Sequence, residues 1–121
     1  MSVKVVGYRF NPTVQEVHHV VELSKAPVEL QNLDWDDEET SKSLLQKSPT
    51  GILPLLETSE GVLSKSYSIE IYLAEKYRPE LLRQGEMQKA LVRQWVDFSC
   101  FEICQNSRSV VYQIFWLGKI L

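Results

Sequence analysis

Four side chains of metal-binding types occur in two pairs, His18-His19 and Cys100-Cys104. Zinc favours imidazole and thiolate ligands, so the two pairs could form a site on paper. Adjacent histidines on a helix point to different faces, whereas cysteines four residues apart share one face and usually fill a small apolar space. The spacing therefore predicts no metal site.

The stretch "SPTGILPLLE" at residues 48–57 places two prolines around a glycine and then runs into apolar residues. Proline fixes φ and lacks an amide donor, so it is excluded from central strands but suits the start of a strand. Pro54 is therefore predicted to begin a strand. An X-Pro bond can be cis where a tight turn requires it, and we predict a cis bond between Leu53 and Pro54.

The first half of the chain alternates strand and helix signals. A β-branched run at residues 3–8 predicts a strand, and Asn11-Pro12 supply a cap and a first-turn proline for a helix that reaches about Ser24. The alternating "VELQNL" at residues 28–33 predicts a second strand. Acids before "SKSLLQKS" and a lysine late within it predict a second, weaker helix.

The segment after residue 54 predicts an antiparallel strand pair, joined by a turn around residues 59–61. The segment "SYSIEIYLAEKY" then predicts a third helix with its apolar residues on one side. Pro79 and Gly85 mark a linker, and a longer helix begins at Met87. The order β-α-β-α-β-β-α is a thioredoxin-like α/β layout, here followed by a helical part.

Composition limits the classes of function. A chain of 121 residues with 44% apolar residues suits one globular domain, or one domain and the start of another. A net charge of −3 without a cluster of Lys and Arg argues against direct nucleic-acid binding. The sequence has no apolar run of about 18 residues and no signal or transit pattern, so we expect a cytoplasmic protein without a membrane segment.

The segment "SPTGILPLLETSEGVLSKSYSIEIYLAEKY" resembles the second half of a glutathione transferase N-terminal domain. In that family a glycine-containing turn leads into a cis-proline strand, a hairpin and a helix that begins with serine. Further on, "LVRQWVDFSCFEI" and "WLGKIL" resemble the first C-terminal-domain helix in the gamma subunit of translation elongation factor 1. Similar modules occur in some aminoacyl-tRNA synthetases and their scaffolds.

The resemblance implies a glutathione site and names its residues. Leu53, before the proline, would present its backbone to the cysteinyl part of glutathione, and Pro54 would hold that backbone. Ser66 matches the serine whose hydroxyl and neighbouring N–H groups receive the γ-glutamyl carboxylate, and helix N-termini favour anions. On the residues alone, Ser66 could instead be an ordinary N-cap and Pro54 a purely structural turn.

Two departures from the enzyme pattern follow from the same resemblance. The family usually has Glu or Gln before the serine, as acceptor for the ammonium group of glutathione, whereas this chain has Lys65, which only donates. Lys65 could instead contact the substrate carboxylate. The hydroxyl that would stabilise a glutathione thiolate is ambiguous, since Tyr8 and Thr13 are both candidates and Tyr8 could simply be a packing residue.

The resemblance divides the chain into a thioredoxin-like N-terminal domain at 1–78, a linker at 79–86 and the start of an all-α C-terminal domain at 87–121. A complete transferase needs more helices after Leu121, so we expect either a fragment of a larger protein or an apolar tail covered by a partner. The favoured hypothesis is a protein-interaction module that contacts a partner or a second copy through the third and fourth helices. The alternative is a glutathione transferase. The apolar residues that motivate the first are Trp95, Phe98, Phe115 and Trp116.

Overall fold

The structure is a computed structural model that describes residues 3–34, 37–48 and 50–120, without the side chains of residues 41, 112 and 115–120. The predictions that concern Pro49 and the side chains of Phe115 and Trp116 therefore lie outside the described residues. The elements are β1 Val3–Gly7, α1 Pro12–Ser24, β2 Val28–Asn32, α2 Glu38–Lys47, β3 Leu55–Thr58, β4 Gly61–Ser64, α3 Ser66–Tyr77, a 3₁₀ turn Pro79–Leu82, α4 Glu86–Phe98, a π-helical segment Ser99–Cys104 and α5 Gln105–Ile120.

The four strands form one mixed sheet in the order β2-β1-β3-β4. β1 lies at the centre, parallel to β2 and antiparallel to β3, and the hairpin partner β4 extends the sheet beyond β3. The crossover between the parallel strands β1 and β2 is α1, as parallel pairing requires. The predicted β-α-β-α-β-β-α thioredoxin-like fold is confirmed.

Local capping chemistry defines both ends of α1. The side chain of Asn11 accepts a hydrogen bond from the amide of Thr13, and Pro12 occupies the first turn, where its missing N–H costs nothing. At the other end Lys25 adopts a left-handed conformation at φ 52°, and its N–H bonds back to the carbonyl of Glu22. The helix start that the sequence predicts is therefore confirmed.

The sheet has a hydrophobic cluster on each face, because successive strand residues point to opposite sides. One face packs against α1 and α3, and its buried residues are Val5, Val17, Val21, Ala26, Leu56, Ile69 and Leu73. The other face packs against α2, and its buried residues are Val6, Leu44, Leu53 and Leu55. The N-terminal part is thus a three-layer α/β structure whose loops meet at the ends of the strands.

Several element boundaries differ from the predictions, and β1 and β2 each end one residue earlier than expected, at Gly7 and Asn32. β3 begins at Leu55, so Pro54 precedes the strand, since a residue without an amide proton adds no donor to the ladder. The final helix begins at Glu86 and continues through the π-helical segment to Ile120. The chain divides into compact units Met1–Leu82 and Arg83–Leu121. The domain boundaries at 78, 79–86 and 87 stay predictions.

Gly7, at the end of β1, has no room for a side chain. A Cβ built there would lie 2.5 Å from Cγ2 of Val14 and 3.6 Å from Cβ of Pro54. Val14 is almost fully buried, so it has little freedom to move away. The absence of a side chain at residue 7 is therefore what lets α1 approach the sheet at this point.

We expect Gly7→Ala to lower the free energy of unfolding by about 1–3 kcal/mol, because the added methyl overpacks the contact with Val14. Urea unfolding measures the change. In the Val14→Ala background the same substitution should cost clearly less, since the clashing methyl group is gone. Equal costs in the two backgrounds would contradict the steric explanation.

Candidate functional site

Strand register brings three chain segments to one end of the sheet. Val6 of β1 lies opposite Leu55 of β3, and Leu55 lies opposite Ser64 of β4. The residues just after β1, just before β3 and just after β4 therefore share this end, which contains Tyr8, the Leu53-Pro54 pair and Lys65-Ser66. The sheet thus gathers the segments that carry the predicted site residues.

The Leu53-Pro54 bond is cis, as predicted. Leu53 is 8% exposed and belongs to the second hydrophobic cluster, and the side chain of Pro54 is fully buried. Both side chains are therefore used in packing. Any contact of these two residues with a ligand would be made by the backbone.

Hydroxyl groups hold the loop before Pro54 in place. The Ser48 hydroxyl bonds the amide and the carbonyl of Ile52, each at 3.1 Å. Thr50 Oγ1 donates to Ser64 Oγ at 2.8 Å, which ties the loop to the last residue of β4. Gly51 adopts a φ of 65°, a conformation that side chains rarely allow. These hydrogen bonds thus tie the loop to β4, the strand that leads into Lys65.

Lys65 and Ser66 form the entry to α3. Lys65 is the N-cap residue, with a φ of 75° that is uncommon for a residue other than glycine. Ser66 is the first helical residue, and the helix has no side-chain cap. The alternative that Ser66 is an ordinary N-cap is therefore wrong, because Lys65 takes that position. The first amides of α3 have no acceptor within the helix.

The hydroxyl of Ser66 contacts an acid from another helix. Ser66 Oγ donates to Oε2 of Glu16, in α1, at 3.3 Å. One turn further along α3, Oε1 of Glu70 is buried and has no hydrogen-bond partner among the described residues. Burial first, and then the charge of Glu16, raises the pKa of the Glu70 carboxyl to about 7. One acid thus contacts the hydroxyl at the start of α3, and a second acid lies one turn further along the helix.

The two candidate catalytic hydroxyls lie near the start of α1. Thr13 is buried, and its Oγ1 donates to the Asn11 side chain at 2.8 Å within the N-cap of the helix. Because a hydroxyl has one proton, a ligand would compete with Asn11 for this donor. Tyr8 is half-buried and packs against the second hydrophobic cluster. The structure thus places Tyr8 and Thr13 at the end of the sheet that also contains the Leu53-Pro54 pair. Their catalytic role stays a prediction.

The histidine and cysteine pairs lie far apart in the sequence and in different units. Within residues 3–34, 37–48 and 50–120 no group of three or more His, Cys, Asp or Glu could hold a metal ion. Burial first, and then the charges of His19 and Arg9, lowers the pKa of His18. Cys100 and Cys104 are half-buried in the π-helical segment. Among the described residues no helix is long and apolar enough to cross a membrane.

Sequence reasoning missed Glu16 and Glu70. The contact of Glu16 with Ser66 joins residues 50 positions apart, and no local pattern reports such a pair. A helical projection of α1 offers a partial signal, because Glu16 follows the buried Thr13 by three residues and so lies at the edge of the packed side of the helix.

Residues 1–75 match the family model described as "Glutathione S-transferase, N-terminal domain". A glutathione S-transferase-like protein of Aspergillus aculeatus is 39% identical over 75 residues, which cover 59% of this chain and 35% of the relative. A probable elongation factor 1-gamma 2 of Arabidopsis thaliana is 29% identical over 109 residues, which cover 88% of this chain and 26% of the relative.

Among solved structures, a glutathione transferase homologue of Drosophila mojavensis with bound glutathione superposes with a TM-score of 0.83 at 26% identity. The superposition covers 97% of this chain and 55% of that chain. The chain therefore spans about half, or less, of the length of these relatives. The comparisons support the N-terminal fold and the helical continuation after it.

The raised pKa of Glu70 gives a test by pH. Between 4.5, the ordinary value, and about 7, the unfolded chain loses the proton of Glu70 while the folded chain keeps it, so rising pH lowers stability across this window. Glu70→Gln removes the effect. As the pH rises from about 5 to about 8, we expect the free energy of unfolding of the variant to increase by about 1–2 kcal/mol relative to that of wild type. This value is discounted for partial solvent screening.

Urea unfolding of wild type and variant at the two pH values measures this gain. Glu75→Gln is the matched control, because Glu75 is an exposed acid on the same helix. The same pH-dependent gain in both variants would contradict the assignment to burial beside Glu16.

Proposed function

The chain belongs to the glutathione S-transferase family, and we propose that within this family it acts mainly as a protein-interaction module. The proposed type is that of elongation factor 1 gamma or of synthetase complexes, in the cytoplasm, with little conjugating activity. The proposed contact is a homodimer or a heterotypic partner held through α3 and α4. We propose no direct contact with nucleic acid, since the net charge is −3.

The observation that carries this proposal is an apolar stripe on α4. Met87, Leu91, Trp95 and Phe98 recur at helical spacing and are all exposed, with Trp95 63% and Phe98 47% exposed. The two aromatic rings pack edge to face with centroids 5.7 Å apart, so they form one rigid apolar surface. Exposed apolar surface of this continuity marks an interaction site.

The entry to α3 favours the same proposal. The residue before Ser66 is Lys65, and an ammonium group cannot accept a hydrogen bond from the ammonium group of glutathione. The side chain of Lys65 is exposed, and with glutathione in the predicted site it would place a positive charge beside that group. We expect a site with this residue to bind glutathione less tightly than a site with Glu or Gln. Conjugation of glutathione is therefore the less favoured function for this chain.

The candidate activating hydroxyls add a third argument. The proton of Thr13 Oγ1 is donated to Asn11, where it supports the cap of α1. The ring of Tyr8 packs against an apolar cluster, a role that many tyrosines have without catalysis. Among relatives, a probable elongation factor 1-gamma 2 of Arabidopsis thaliana matches over 88% of the chain and a glutathione S-transferase 4 of Zea mays over 93%, so the extent of the match favours neither function.

The alternative is a glutathione transferase, and specific observations favour it. The cis Leu53-Pro54 bond and the serine at the start of α3 are both present. A relative carries the name glutathione S-transferase-like protein, and a similar solved chain contains glutathione. Under this alternative, glutathione lies against the backbone at Leu53 and Pro54 and at Ser66, with Tyr8 or Thr13 as the activating residue.

We expect Trp95→Glu to weaken self-association of the purified chain by at least about tenfold, because it places a charge in the apolar stripe. Sedimentation velocity over a concentration series measures the dissociation constant. Gln94→Glu is the matched control, since it adds the same charge at an exposed neighbouring position. A dimer that is insensitive to Trp95→Glu, or a wild-type chain that stays monomeric, would contradict the homodimeric form of the proposal.

We expect little conjugation of glutathione to a general electrophile by the full-length protein, because the acceptor before Ser66 is missing. We also expect Tyr8→Phe and Thr13→Ala to leave this low rate unchanged. Spectrophotometric turnover measurements test both points. Robust turnover that either substitution abolishes would overturn the interaction-module proposal and establish the transferase alternative.

A further inference from the structure

The hydroxyl at the start of α3 is already used in a hydrogen bond to α1, which distinguishes this helix start from an open anion site. Ser66 Oγ, at 3.3 Å from Glu16 Oε2, already donates its hydrogen bond to a carboxylate of the same chain. A hydroxyl has one proton to donate. A carboxylate ligand at Ser66 would therefore have to displace Glu16 from this donor.

Displacement alone does not remove the obstacle, because Glu16 stays close. A ligand oxygen within hydrogen-bond reach of Ser66 Oγ would lie within about 6 Å of the Glu16 carboxylate. At such separations two like charges disfavour each other's ionised form. The amides at the start of α3 attract anions, but the nearest acid of α1 opposes them.

Glu70, one turn further along α3, lies in surroundings that disfavour negative charge. Its Oε1 atom is buried and lacks a hydrogen-bond partner in the described part of the chain. Burial first, and then the charge of Glu16, raises the pKa of the Glu70 carboxyl. A ligand carboxylate would thus enter a region where the charge of Glu16 already disfavours a second negative charge.

We infer that Glu16 is a specificity-determining residue that occupies Ser66 in place of a ligand carboxylate and so excludes γ-glutamyl ligands from the start of α3. The inference deepens the proposed function, because it gives a reason, independent of Lys65, for weak binding of glutathione. The chemistry it concerns is the free α-carboxylate of a γ-glutamyl group.

The test is titration calorimetry of glutathione against wild type, Glu16→Gln, Ser66→Ala and the double variant. Glu16→Gln keeps the shape of the side chain but removes its charge. We expect this variant to bind glutathione at least about tenfold more tightly than wild type, which corresponds to about 1.4 kcal/mol. The double variant should lose part of the gain, since a ligand carboxylate then lacks the hydroxyl donor at residue 66.

Two controls locate the effect. Glu22→Gln removes the same charge from an exposed position on α1 and should not change the affinity for glutathione. Cysteinylglycine, which lacks the γ-glutamyl group, should not bind Glu16→Gln more tightly than wild type. Thermal unfolding of each variant confirms that the fold is retained before titration.

Unchanged or undetectable binding by folded Glu16→Gln would overturn the inference, and so would an equal gain in the Ser66→Ala background. Weaker binding would also overturn it, because Glu16 would then be an acceptor for the ammonium group of the ligand. These outcomes are distinct from failure of the proposed function. Robust conjugation by wild type would contradict the interaction module, whereas the inference depends only on differences in affinity between variants.

Discussion

The central position of β1 is the constraint on which the rest of the structure depends. Its register places Val6 opposite Leu55, and Leu55 in turn lies opposite Ser64. A shift by one residue would turn every side chain to the other face and exchange the two hydrophobic clusters. The same register sets the ends of three segments side by side, so the packing of the core and the assembly of the candidate site have one cause.

Much of the fold could be predicted because its signals are local. Asn11 and Pro12 define the start of α1 through a side-chain acceptor and a fixed φ, and both act within three residues. Ser59 and Glu60 form the turn between β3 and β4, and Gly61, which the sequence predicts in the turn, is the first residue of β4. The cis bond before Pro54 followed from the exclusion of proline from strand interiors together with the thioredoxin-like order. Even there, the strand starts one residue later than predicted.

The sequence predicts where the residues of the candidate site lie along the backbone, but not the contacts of their side chains. Ser66 was located from its place in the sequence, but its partner Glu16 lies 50 residues away on α1 and contacts it only through the packing of two helices. Glu70 gives no local signal either, because burial of a carboxyl depends on what covers it. The sequence also does not predict the π-helical segment after Phe98. Residues four apart, such as Cys100 and Cys104, lie on one side of the chain in both π and α geometry.

These differences explain why family membership leaves function open. The core requires apolar residues at fixed positions and a glycine where α1 meets the sheet, and these demands are the same whether or not a ligand binds. Ligand binding at the candidate site would depend instead on a few side chains outside the core, such as Lys65 after β4 and Glu16 in α1. Substitution there can change the charge of the site without disturbing the register of β1, so the same fold can retain its core while the side chains that would meet a ligand differ.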